Sequence, residues 1–278
     1  MSLNNKHSSA AKTVIFTDLD GSLLDPFTYS EAVTSTLVAS IVDKGIPLIF
    51  CSSKTRAEQE VYRRRMGIAD PFIVENGGAI FIKRGYFPFA YQYQRVFGDY
   101  HVIELGIAYP EIRERLKEIS RQHKLTITGF GDMTPAEIAK LTGLDLASAK
   151  LAQEREYEES LHLEDRDIDS ILPKIAAAGL TWNRGGKLYG VSGGNDKGRA
   201  TQMLTRLFRQ KLGRIKTIGI GDSSNDLPML AEVDFPVLVQ KPGHGWEEID
   251  LPRLYRVKGE GPRGWTRAIR ELTSISGS

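Results

Sequence analysis

An apolar run of strand length, TVIFT at residues 13–17, leads straight into Asp18, Leu19, Asp20 and Gly21. The run does not alternate with polar residues, so the strand it forms must be covered on both faces, as in a parallel sheet packed between helices. Positions i and i+2 of a strand point to the same side, which sets both carboxylates facing one way. In open α/β sheets the ligand crevice lies outside the carboxyl ends of the strands, where Asp18 and Asp20 fall. Burying one ionised carboxylate costs several kcal/mol unless a cation or donors offset it, and two such groups repel each other. The pair therefore calls for a cation between them.

The same texture recurs along the chain. Spaced apolar positions (Ala32, Leu37, Val38, Ile41) predict a helix over residues 31–44, stopped by Lys44 and Gly45. IPLIFCSS reads as a second buried strand. Thr55, with Glu58 three residues on, forms a capping box for a helix running to Met66 and Gly67. PFIVENGGAIFI then gives a strand, a glycine turn and a strand. The order β, α, β, α, β predicts a parallel α/β sheet.

From residue 86 the pattern changes. YFPFAYQYQRVFGDY is aromatic and irregular. An amphipathic helix follows over 109–122, then a second capping box from Thr134 to Glu137 with Pro135 at the first helical position, further helices, and a hairpin in LTWNRGGKLYGVSG. Beyond GGNDKG the α/β texture returns with a helix over 198–212, a buried strand IKTIGIGD, a last strand DFPVLVQ and a terminal helix. The expected organisation is one α/β core, residues 12–85 and 191–278, interrupted by an α+β cap domain over 86–190. Residues 1–11 are expected to be a disordered tail or an expression remnant.

Composition narrows the function. Thirty-seven basic against 35 acidic residues give a formal charge of +2 over 278 residues, too small an excess to argue for nucleic acid or membrane. Arg63, Arg64 and Arg65 are expected to form a solvated helix face. The single cysteine, Cys51, excludes an internal disulfide and follows apolar residues, so it is read as a buried structural thiol. The five histidines stand in no metal-ligand spacing. A cytoplasmic protein, monomer or homodimer, is expected.

A second acidic cluster, GIGDSSNDLPML, ends another apolar strand and supplies Asp222 and Asp226 with Asn225 between them. Asp18, Asp20, Asp222 and Asp226 offer hard oxygen ligands suited to Mg²⁺, with Asp226 either a direct ligand or a group that orients the others. The strand before Cys51 ends in Ser52 and Ser53, followed by Lys54, and GGNDKG delivers Lys197 at a helix start, where the dipole disfavours a cation without an anionic ligand. Hydroxyls, backbone N–H groups and a lysine make a phosphate pocket. With Mg²⁺ and Lys197 reducing the repulsion between two anions, Asp18 can attack a phosphate in line and form an aspartyl phosphate. Asp20 can protonate the leaving alcohol and then deprotonate the hydrolytic water.

Four motifs in order, DLDGS, Ser52 after its strand, Lys197 and GDSSND, resemble the haloacid dehalogenase superfamily of phosphatases, with Ser22 where that family usually has threonine. The resemblance implies a Rossmann-like core and a C2-type cap of the Cof-like kind. CSSKTRAE, ENGGAIFI, AQEREYEE, RGGKLYGVSGGNDKG and GDSSNDLPMLAEVDFPVLVQKP are similar to the mannosyl-3-phosphoglycerate phosphatase subfamily, although residues 158–161 read EESL in place of its Ser-Glu-Pro-Phe. That implies a phosphorylated glycoside as substrate. Its phosphate and carboxylate would meet Ser53, Lys54, Asn76, Gly77 and Asn225 on the core and Arg155, Arg184 or Lys187 on the cap. Other sugar phosphatases (for glucosyl-3-phosphoglycerate, sucrose phosphate or trehalose phosphate), a phosphomutase, and a non-catalytic phospholigand-binding regulator stay open as alternatives.

Overall fold

The structure is a computed structural model that describes residues 11–185, 188–273 and 275. The first elements are β1 (Lys12–Thr17), α1 (Ser35–Asp43), β2 (Leu48–Phe50), α2 (Arg56–Arg65), β3 (Phe72–Val74), β4 (Ala79–Lys83), β5 (Arg95–Phe97) and β6 (Tyr100–Glu104). Then come α3 (Tyr109–His123), β7 (Thr128–Gly129), α4 (Pro135–Thr142), α5 (Leu146–Ala152), β8 (Glu158–His162), α6 (Asp165–Ala177), β9 (Thr181–Gly185) and β10 (Leu188–Ser192). The chain returns through α7 (Lys197–Leu212), β11 (Ile215–Gly221), α8 (Leu227–Ala231), β12 (Phe235–Gln240), β13 (Tyr255–Glu260) and α9 (Pro262–Leu272).

The core is a five-stranded parallel sheet in the order β13-β12-β11-β1-β2. Because β1 is apolar on both faces, Ile15 joins one buried cluster with Phe50, Ile220 and Trp265, while Val14 and Phe16 join another with Leu204, Phe208 and Leu238. Burying each such side chain contributes about 1.5–3 kcal/mol. The carboxylates begin only where this cover ends. Trp265, itself fully buried, fixes that point: its indole N–H donates to Thr17 Oγ1 at 3.0 Å, and the Thr17 hydroxyl donates to the Asp18 carbonyl at 2.7 Å.

Both capping boxes form as expected, Thr55 with Glu58 and Thr134 with Glu137. Two strands and one side chain differ from the sequence reading. β3 touches the parallel sheet only through a bridge from Cys51 to Ile73; its ladder partner is β4, in an antiparallel sheet ordered β3-β4-β6-β5. The tight ENGG turn folds β4 straight back on β3, which leaves no crossover for a parallel pair. β13 was not expected after β12, because this edge strand buries only Val257 and so lacks an apolar run. Arg63 is not solvated: it lies on the inner face of α2, 5% exposed, with its guanidinium 4.2 Å from the centre of the Phe72 ring. Arg64 and Arg65 are exposed as expected.

Residues 86–104 carry the aromatic texture assigned above to the insert. They pair with β4 and pack against α7, Phe87 meeting Phe208 with ring centres 5.3 Å apart. Beyond them, a second antiparallel sheet ordered β7-β8-β10-β9 carries α3 and α6 on one face. Strand alternation divides its residues. Leu161, Tyr189 and Val191 join the apolar cluster under those helices, while Glu158, Ser160, Asn183 and Gly190 turn toward the core.

Candidate active site

The carboxyl ends of β1 and β11 lie side by side, registered by the Asp18 N–H donating to the Ile220 carbonyl at 2.8 Å. This brings Asp18 next to Asp222, and the turn after β11 adds Asp226. Oxygens of Asp18, Asp222 and Asp226 all lie within 4.8 Å of one another. Gly21, at φ +75°, makes the approach possible, since a Cβ there would come within 2.7 Å of an Asp222 carboxylate oxygen.

Lys197 is the first helical residue of α7, whose N-cap Asp196 accepts from the Arg199 N–H at 2.9 Å. Its side chain is buried, and Nζ donates to Asp18 Oδ1 at 2.6 Å and to Asp226 Oδ1 at 2.7 Å. The other oxygen of Asp226 accepts from the backbone N–H groups of Asp222 at 3.0 Å and Ser223 at 3.2 Å. Both Asp226 oxygens are therefore occupied within the protein, and this residue anchors Lys197 and the β11 turn.

The charge balance of the cluster is uneven, with three carboxylates around one ammonium. Burial pushes the Asp18 carboxyl well above its usual range; Lys197 opposes the shift, and Asp226 and Asp222 add to it. Burial, reinforced by Asp226, pushes Asp222 up to about 7. Burial alone would lower the Lys197 ammonium, yet Asp18 and Asp226 raise it above its ordinary value. The cluster is thus a set of hard oxygen donors short of positive charge, which could hold a metal cation. Asp20 stands just outside it. Asp20 Oδ2 pairs with Lys54 Nζ at 3.0 Å, while its Oδ1 is buried with no hydrogen-bond partner among the described residues.

Asp18 and Asp20 open into a cavity of about 590 Å³ between the core and the outer sheet. Of the residues expected to bind substrate, Ser53, Lys54, Asn76, Asn225, Arg155 and Arg184 line it. Lys54 is buried and also meets Glu58 at 3.4 Å. Arg155 donates from Nη1 to the Ser53 carbonyl at 3.1 Å and meets Glu158 Oε1 at 3.3 Å, so it spans the two walls. Ser52, buried behind the wall, accepts the Lys54 N–H on Oγ at 3.3 Å. Gly77 does not face the cavity and packs against the Asp196 carbonyl. Lys187 lies outside the described residues. Cys51 is fully buried and its thiol is pushed up to about 12 by burial, as a structural cysteine should be.

Sequence reasoning missed several lining residues, among them Tyr29, Glu158, Asn183 and Lys241. For Glu158 a signal existed: a carboxylate at an inward position of a strand is unusual unless it has partners. Among the described residues no helix is long and apolar enough to cross a membrane.

Residues 15–94 match the family model of haloacid dehalogenase-like hydrolases. A glucosyl-3-phosphoglycerate/mannosyl-3-phosphoglycerate phosphatase of Methanococcoides burtonii is 46% identical over 264 residues, 94% of this chain and 97% of that protein. A mannosyl-3-phosphoglycerate phosphatase of Pyrococcus horikoshii is 40% identical over 81% of this chain and 90% of its own length. Among solved structures, the sucrose-phosphatase of Synechocystis sp. PCC6803 shares the fold, with a TM-score of 0.60 over 94% of this chain and 98% of that one at 16% identity.

Proposed function

Because this chain belongs to the haloacid dehalogenase-like hydrolases, within the family of glucosyl-3-phosphoglycerate/mannosyl-3-phosphoglycerate phosphatases, we propose that it hydrolyses the phosphate monoester of mannosyl-3-phosphoglycerate or its glucosyl counterpart. The observation that carries this reading is the position of Asp18: bonded to a buried lysine, at the foot of a cavity whose opposite wall supplies Arg155. A glycosyl phosphoglycerate bears a phosphate, a carboxylate and sugar hydroxyls. The cavity offers the reactive carboxylate, cations at Lys54, Arg155 and Arg184, and polar groups at Glu158, Ser160 and Asn183 to meet them.

Asp18 and Asp222 are the residues that would hold Mg²⁺, with Asp20 beside them and Asp226 anchoring the set. When bound, Mg²⁺ supplies the positive charge that lets a carboxylate approach a phosphate. Lys197 holds the Asp18 carboxylate oriented, opposes the upward shift that burial imposes on it, and adds its own charge where negative charge builds up. An Asp18 oxygen attacks phosphorus as the bond to the glycerate oxygen breaks. Asp20 gives its proton to that departing oxygen, then accepts one from the water that cleaves the aspartyl phosphate, so phosphate leaves and Asp18 is restored. Lys54, 3.0 Å from Asp20, keeps Asp20 facing the reacting atoms.

The test of substrate is a phosphate-release screen with Mg²⁺ over mannosyl- and glucosyl-3-phosphoglycerate, sucrose phosphate, trehalose phosphate and p-nitrophenyl phosphate. The glycosyl phosphoglycerates are expected to exceed the others in kcat/KM by at least about tenfold, the value of one charge-assisted contact. Equal rates on all of them would refute the substrate assignment. Turnover that needs a bisphosphate activator and releases little phosphate would identify a mutase.

The cation can be tested without activity. An acid held above its unfolded pKa stabilises the fold while protonated, and that contribution is lost as pH rises through the folded value. For Asp222 the loss runs from about 4 up to about 7. Above pH 7 the metal-free protein carries the unfavourable charge, and Mg²⁺ compensates it. Millimolar Mg²⁺ is expected to raise Tm by several degrees near pH 8 and by much less near pH 5. An increment that is absent, or larger at the acidic pH, would count against a cation at these carboxylates.

A further inference from the structure

We propose that Glu75 is a positioning residue that clamps the start of β8 onto the core and thereby sets where Arg155 and Glu158 meet the substrate. The proposal rests on the phosphoglycoside reading above.

Glu75 follows β3 in the ENGG turn, and its side chain is fully buried. Its carboxylate accepts three consecutive backbone N–H groups from a segment more than eighty residues away: Glu156 at 3.0 and 3.2 Å to its two oxygens, Tyr157 at 2.8 Å and Glu158 at 2.7 Å. Burial pushes this carboxyl up to about 7, with Arg155 and the Tyr157 and Glu156 N–H groups opposing. Glu75, Asn76 and Gly77 all have left-handed backbones, at φ 47°, 53° and 92°. For a glutamate that conformation costs on the order of 1–3 kcal/mol, and it persists only where the surroundings impose it.

The surroundings are the parts of the site itself. The Glu75 and Asn76 N–H groups donate to the carbonyls of Lys54 at 3.2 Å and Ser52 at 3.0 Å. A Cβ at Gly77 would lie 2.0 Å from the carbonyl oxygen of Asp196, the residue before Lys197. The Asn76 amide donates to Glu158 Oε2 at 2.7 Å, and Glu158 in turn meets Arg155. One turn therefore touches the phosphate-side loop, the helix start that carries Lys197, and the first residues of β8.

Among the described residues the Glu75 carboxylate bonds only residues 156–158 and none of the catalytic groups. Asp18 and Asp20 come from the end of β1, and Lys197 from α7. Losing the Glu75 carboxylate releases residues 156–158, and with them Arg155 and Glu158, from their register against Ser53 and Asn76. The consequence is a split in kinetic parameters: poorer recognition of the glycosyl glycerate, with unchanged chemistry on a small ester.

The experiment is Glu75→Gln in the full chain, assayed with Mg²⁺ on mannosyl-3-phosphoglycerate and on p-nitrophenyl phosphate. Amide hydrogen exchange at residues 156–158 is followed in parallel. KM for the glycosyl phosphoglycerate is expected to rise by about tenfold or more, kcat on the small ester to stay within about twofold, and the three amides to lose exchange protection. Parallel loss on both substrates, or unchanged protection, overturns the proposal. Should Glu75→Gln not fold, Glu75→Asp, which keeps the charge but shortens the reach, is read by the same criteria. Failure of the substrate reading looks different: the wild-type protein itself would then show no preference for the glycosyl phosphoglycerate over the small ester.

Discussion

Asp18→Asn is expected to lower phosphate release by at least about four decades, roughly 5–6 kcal/mol of activation barrier, while leaving the fold intact. An amide has no nucleophilic oxygen, so the covalent step is lost outright. The substitution keeps the shape and an oxygen for Lys197, whose Nζ lies 2.6 Å from Asp18 Oδ1. It also removes one of three crowded carboxylates, which burial and the Asp226 and Asp222 charges make costly to ionise. In the absence of metal the variant is therefore expected to melt at or above the wild-type temperature near pH 8. Phosphate release with purified variant checks the first expectation and thermal melts check the second. Near-native release would remove Asp18 from the role of nucleophile, and a large drop in Tm would mean that the carboxylate is structural.

The two results would separate what was readable in the sequence from what was not. Asp18 and Asp222 could be found because strand periodicity and the end of an apolar run are local signals, each contained within eight residues. The parallel order of β1 and β11 then brings them together without further information. The capping boxes at Thr55 and Thr134 were legible for the same reason. Glu75 was not. A glutamate in a glycine turn looks solvated, and its partners lie 81 to 83 residues away in backbone that carries no side-chain signature. Glu158 was half legible: Arg155 lies three residues before it, but its other partner, Asn76, comes from a turn 82 residues away. Arg63 was misread because three arginines in a row conceal which of them the helix turns inward. β13 was missed because an edge strand buries too little to imprint a pattern. The Asp18 and Asp222 end of the site is thus encoded locally, whereas the opposite wall of the cavity is assembled by long-range contacts.

Lys197 is where the local and the long-range requirements meet, and its removal should be costly in both respects. Lys197→Met keeps length and apolar bulk but withdraws the ammonium bonded to both Asp18 and Asp226. Breaking a buried ion pair from one side costs about 3–5 kcal/mol, because the remaining charge stays buried without a partner. Here two carboxylates are left, beside an Asp222 already pushed up to about 7. The metal-free variant should lose that stability most fully at neutral and alkaline pH, where the carboxylates must ionise, and recover part of it on acidification, as they protonate. Turnover should fall by several decades even where the variant is folded, since the phosphate then meets Asp18 without the neighbouring cation. The discriminating measurement is a double-mutant cycle in the metal-free protein. Adding Asp18→Asn to Lys197→Met removes one stranded charge, so the pair should be more stable than Lys197→Met alone by urea denaturation. If the second substitution instead adds its own destabilisation, the lysine and the aspartate are not held together by charge, and the neighbouring carboxylates are not what raises the Lys197 ammonium.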